Sequence, residues 1–153
     1  MAFGQHQGNY GHTFFLYEEN IHVPFVIAAP GSLHAQTRAS HVVSLLDTAP
    51  TILDLAGINA PAEDQGRSML DADARMALFF ADYSVGMMGL RDGPWKFIYE
   101  LESGHSRLFD LRQDPLERSD RSADQPDRAR WYREDLEGWA AAQKNRVTRT
   151  ATR

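Results

Sequence analysis

The chain has 153 residues, 42% hydrophobic and 24% charged, with a formal net charge of −5 and no cysteine. That is enough apolar content for a buried core in one domain or two small lobes, which excludes disorder over most of the length. The acidic balance offers no basic surface for nucleic acid. No apolar run approaches the roughly 18–20 residues that span a bilayer, and the N-terminus lacks the charged and apolar regions of a secretory signal, so the chain as it stands is expected in the cytoplasm.

Residues 4–12 hold Gly4, Gly8 and Gly11 with Asn9 and read as a loop able to wrap an anion. Thr13 is placed to cap a short helix through Glu19, ended by Asn20. Val23-Pro24-Phe25-Val26-Ile27-Ala28 is a continuous apolar run that predicts a strand buried on both faces, with the proline near its start. A small, polar loop follows from Pro30 to Ala39. Asp47 is then expected to cap a helix with Pro50 in its first turn and Gly57 as its stop. Residues 60–74, rich in Pro, Asp and Gly, read as an exposed connection and lobe boundary.

Beyond the boundary the period changes from helical to alternating. Residues 77–81, 87–91, 95–101 and 107–111 predict four short strands in an antiparallel meander, with Asp92-Gly93-Pro94 and Ser103-Gly104-His105 as turns. Pro126 opens a helix to about Asn145, with Tyr132, Leu136, Trp139 and Gln143 on one face, and residues 146–153 are expected to fray.

The residues that bear chemistry admit plain readings as well as functional ones. His12, in a glycine-rich loop, either bonds locally or faces a bound anion. His6 and His12 together are too few for a metal site, which needs three or four ligands. Glu18 and Glu19, about 100° apart around a helix, cannot flank one bond as an acid/base pair and read as structural. His22, His34, His41 and His105 are assigned to surface or packing. Arg91 and Lys96, beside the Asp92-Gly93-Pro94 turn, either stay in water or meet an anionic substrate, and the aromatic residues read as core.

Five blocks occur in a telling order. They are Gly4-Gln5-His6 to Tyr17-Glu18-Glu19 and Val23-Pro24, then Ser44 to Ile58, Gly66-Arg67-Ser68-Met69-Leu70, Leu90 to Tyr99, and Leu108 to Glu117. Together they resemble the C-terminal part of the sulfatase family in the alkaline phosphatase superfamily. The resemblance implies an α/β fold (an α+β fragment): residues 1–72 as the end of a sulfatase-type α/β core, and 73–153 as a small antiparallel sheet with a packing helix. It implies a substrate-binding loop holding His6 and His12, in which His12 contacts the substrate anion and His6 orients a neighbouring strand or loop.

The family's nucleophile, a Cys or Ser in a Cys/Ser-x-Pro-x-Arg motif, does not occur in this sequence. No cofactor is therefore expected in this chain and no metal ligands are assigned, although a full-length relative is expected to hold a divalent metal (Ca or Mn/Mg). Such a relative, which could be exported or membrane-anchored, would act on a sulfate or phosphate ester. Three readings follow: the C-terminal portion of a sulfatase-type hydrolase, inactive alone; a non-catalytic remnant or oligomeric interaction module; and an unrelated small metal hydrolase on His6, His12 and Glu18, which lacks ligands. Self-association through Val23–Ala28 and Leu45–Leu55 is expected, because a strand built for burial on both faces needs cover.

Overall fold

The computed structural model describes residues 2–6, 10–11, 15–34, 38–83 and 85–151, the last six as backbone alone. The chain forms two compact units, Met1–His22 with Leu78–Arg153, and Val23–Ala77. The boundary thus falls a few residues beyond the expected 72/73 division, and residues 1–22, expected in the first lobe, group with the sheet.

In the first unit, β1 (Ala2–Phe3) pairs antiparallel with β2 (Tyr10–Gly11), and a single-turn helix α1 spans Glu18–Ile21. The expected cap at Thr13 lies outside the described residues. The helix starts and ends later than expected, because Leu16 is consumed by the core at 4% exposure. Asn20 sits inside the helix and its side-chain amide donates to the Phe15 carbonyl at 2.7 Å.

Strands β3 (Met76–Asp82), β4 (Gly86–Asp92), β5 (Trp95–Glu100) and β6 (Ser106–Asp110) form a four-stranded sheet in sequence order. This is the expected meander. The β4–β5 register pairs Asp92 with Trp95 and leaves Gly93-Pro94 as a two-residue loop. Gly93 has φ +52°, which a hairpin turn of this length requires and a side chain would resist.

Pleating divides the sheet's side chains between two faces. Leu90, Phe97 and Leu108 are register partners and fully buried. The Phe97 ring lies 5.9 Å from that of Tyr132 on α3 (Pro126–Ala151), so this face packs on the helix through buried Ala129, Tyr132 and Leu136. The Tyr132 hydroxyl donates to Asp92 at 2.7 Å, and burial pushes that phenol up to about 12. Arg128 stacks its guanidinium 4.6 Å from the Trp95 ring centroid, tying the helix to the hairpin end. The helical backbone runs to Ala151, past the expected end near Asn145.

The opposite face holds Met87, Ile98 and Phe109, which pack against Leu16 and Tyr17. A Cβ on Gly89 of that face would collide with the Phe79 ring, so the glycine is what lets Phe79 lie flat on β4. The sheet is thus covered by α3 on one side and by residues 15–21 on the other.

In the second unit, Leu45–Asp47 forms a 3-10 turn leading into α2 (Thr48–Leu55). Ser44 and Asp47 exchange capping hydrogen bonds, but the Asp47 side chain does not cap α2 as expected. Its carboxylate is buried instead, accepting from the Ser44 amide at 2.8 Å and the Arg67 amide at 2.9 Å and pairing with Arg75 at 3.2 Å. The Met69 amide donates to the Thr51 hydroxyl at 2.8 Å, and His41 Nε2 lies 3.0 Å from the Met69 carbonyl. Residues 66–70, expected as open connection, are therefore pinned to the helix.

The expected strand at Val23–Ala28 is absent. The segment forms no ladder, and Val26 is 89% exposed. A strand of this character needs neighbours on both edges and both faces, and no described segment of its unit pairs with it. Its apolar run encodes burial that the structure does not provide.

Candidate functional site

Among the described residues of the first unit, a cluster of ionisable groups forms where His6 and residues 17–19 meet Lys96 of the sheet and Glu117. Lys96 lies on β5 one pleat from Ile98, on the face that Leu16 and Tyr17 cover, and its side chain has no solvent exposure. A buried ammonium is tolerated only when paired. Its Nζ sits 3.1 Å from Glu18 Oε1 and 2.7 Å from Glu117 Oε1, with the Phe79 ring centroid at 5.8 Å. Neither sequence reading of Lys96, solvated or meeting substrate, survives this geometry.

Glu117 is the pivot of the cluster. It is 3% exposed and adopts φ +54°, a left-handed conformation that costs a side-chain-bearing residue about 1–2 kcal/mol. Its Oε2 accepts the Glu18 amide at 2.7 Å, satisfying a donor at the start of α1 that has no side-chain cap. Its Oε1 is close to Lys96 but receives no well-aligned hydrogen bond. Burial pushes the Glu117 carboxyl above 4.5, and the Lys96 charge only partly opposes that shift.

His6 is held on three sides. Its ring stacks on Tyr17 with centroids 3.7 Å apart and planes 2° from parallel. Nδ1 lies 2.9 Å from Glu19 Oε1, and Nε2 lies 3.3 Å from the Glu117 carbonyl oxygen. Both partners are acceptors, so both contacts are hydrogen bonds only in the doubly protonated ring. Burial pushes the Tyr17 phenol up, with Arg107 pulling against it, so Tyr17 serves as a neutral aromatic surface. Glu18 and Glu19 point to different partners, Lys96 and His6, as the structural reading of that pair required.

His12 lies outside the described residues. His6, the other residue assigned to the substrate loop, is placed with both ring nitrogens against protein acceptors. Sequence reasoning missed Glu117 and misread Lys96. The period-2 pattern carried a signal for Lys96, since a residue two from buried Ile98 shares its face. Nothing in Asp114-Pro115-Leu116-Glu117 announces a left-handed glutamate.

Among the described residues no three His, Asp or Glu side chains converge as a metal ion requires. A groove of about 420 Å³ in the second unit is lined by Leu45, Leu46, Pro50 and Ile52, with Asp64 as its single charged group, and does not suit an anion. Among the described residues no helix is long and apolar enough to cross a membrane.

The Glu117 environment sets a pH signature. A carboxyl whose folded value lies above its unfolded one contributes stability at low pH that is lost as pH rises through the folded value. Relative to Glu117→Gln, which cannot titrate, the wild-type chain is expected to lose stability as pH climbs from below 4.5. Urea unfolding of both proteins across that range measures the difference, and a gap that stays constant or moves the other way contradicts the assignment.

Comparison with known proteins adds identity to this geometry. The family described as "N-sulphoglucosamine sulphohydrolase, C-terminal" matches residues 6–130. Arylsulfatase K of Bos taurus is 31% identical over 131 residues, covering 73% of this chain and 24% of the relative. The Delta 4,5-hexuronate-2-O-sulfatase of Bacteroides thetaiotaomicron is 31% identical over 124 residues, covering 71% and 26%. Among solved structures, Ps i-CgsB in complex with k-i-k-neocarrahexaose matches with TM-score 0.63 at 23% identity, over 72% of this chain and 27% of that one. A 2-O GAG sulfatase matches with TM-score 0.51 at 27% identity, over 81% and 29%. The chain spans about a quarter of the curated relatives it matches. It belongs to the sulfatase family, as the C-terminal region of that family's fold.

Proposed function

We propose that this region serves a hydrolase of sulfate esters, with phosphate esters as the alternative substrate class, by presenting the loop of His6 and His12 to the ester's anion. The observation that supports this reading most is the clamping of His6 between Tyr17, Glu19 and Glu117, which holds that one residue of the segment beside the sheet. In this role His12 offsets negative charge that builds on the transferred group and the leaving oxygen. The chain itself carries no Cys/Ser-x-Pro-x-Arg nucleophile motif, so we propose that it binds and positions without turning over.

Purified alone, the chain is expected to hydrolyse an aryl sulfate no faster than buffer, with or without added Ca²⁺, Mn²⁺ or Mg²⁺. Metal-dependent turnover that disappears in His12→Ala would contradict this and favour a small self-sufficient hydrolase.

The second reading, an interaction module, is favoured by the apolar surface of Val23–Ala77. Val23, Phe25 and Val26 are exposed beside no ladder, and Leu45, Leu46 and Ile52 are each more than 60% exposed on the turn and helix α2. Such a concentration of apolar side chains in water marks a contact surface, and we propose a second copy of this chain as its occupant. Sedimentation at micromolar concentration is expected to give a mass above the monomer that falls in Val26→Lys with Ile52→Lys. A wild-type monomer throughout would rule this out.

A further inference from the structure

We infer that Lys96 and Glu117 are positioning residues for His6 and residues 15–22, the buried ammonium and the left-handed glutamate together holding His6 and the start of α1 against the sheet. The inference rests on the reading that this segment serves an anion site, and it names what places it there.

Lys96 takes its two carboxylates from parts of the chain far apart in sequence, Glu18 at the start of α1 and Glu117 after β6. An ammonium buried in the sheet face leaves neither free to depart, because each departure uncovers charge. Glu117 grips the segment twice. Its carboxylate takes the Glu18 amide, and its carbonyl faces His6 Nε2, an orientation delivered by φ +54°. A left-handed non-glycine residue persists only where its surroundings over-determine it, and such residues cluster where strain serves placement. His6 in turn bonds Glu19, so the loop and the helix are locked to the same point. The opposite sheet face, where Phe97 meets Tyr132, makes no use of the triad.

The test compares the wild-type chain with Lys96→Met and Glu117→Gln by NMR. Exchange protection of the Phe97, Ile98 and Leu108 amides reports the sheet. The Glu18 amide and the ring-current-shifted resonances of His6 over Tyr17 report the segment. In at least one variant, sheet protection is expected to stay within about twofold of wild type. In that variant the Glu18 amide should exchange at least tenfold faster and His6 should lose its upfield shift. Unchanged His6 and Glu18 signals in a folded variant overturn the inference, as does loss of the sheet in both variants, which would make the triad a support of the whole unit. Sodium sulfate is titrated in parallel. Perturbation of His12 in wild type, weakened at least fivefold in the variant, supports the link to the anion site. No perturbation in wild type removes the anion-site reading while the exchange data still decide the latch.

Discussion

A lysine ammonium without access to water sits at the centre of the first unit, and it constrains what surrounds it. Desolvating such a charge costs several kcal/mol, repaid only where opposite charge and hydrogen bonds close around it. Lys96 collects Glu18 and Glu117 for that purpose. Glu117 shares that ammonium with Glu18, and burial pushes its carboxyl up against the pull of the Lys96 charge. The arrangement therefore specifies position more than it adds stability. An apolar residue at 96 would pack the sheet face at least as easily but would give Glu18 no reason to come there.

The hydrophobic parts of the unit follow from the same point. Ile98, Phe109 and Met87 are covered because Leu16 and Tyr17 are drawn over them, and Tyr17 in turn supplies the surface on which His6 lies. The second unit uses a related device by itself. Buried Asp47 gathers the Ser44 and Arg67 amides and the Arg75 guanidinium, fastening residues 66–70 to the turn before α2. In both units buried charge joins segments that the hydrophobic pattern alone leaves independent.

What was legible in the sequence was what depends on periodicity and turn chemistry. The four strands, their order, the Gly93-Pro94 loop and the buried stripe of α3 through Tyr132 and Leu136 are local patterns with local causes. The failures have a different origin. Val23–Ala28 encodes burial, but burial needs partners the segment does not meet in its own unit, so the same pattern yields an exposed run outside any ladder. Asp47 has the chemistry of a helix cap, yet a buried position with two amides and a guanidinium in reach outcompeted that role. Lys96 was read by residue type when its place in the β5 alternation pointed inward. Glu117 was invisible because its value lies in a backbone conformation and in contacts about a hundred residues away.

The central claim is that Lys96 and Glu117 act as one unit. A double-mutant cycle on unfolding free energy with Lys96→Met, Glu117→Gln and the combined variant tests it most directly. The account predicts strong non-additivity, a coupling of about 0.5–3 kcal/mol as found for residues in one ionic network, with the double variant less destabilised than the sum of the single ones. Additive effects, with a coupling indistinguishable from zero, would contradict it.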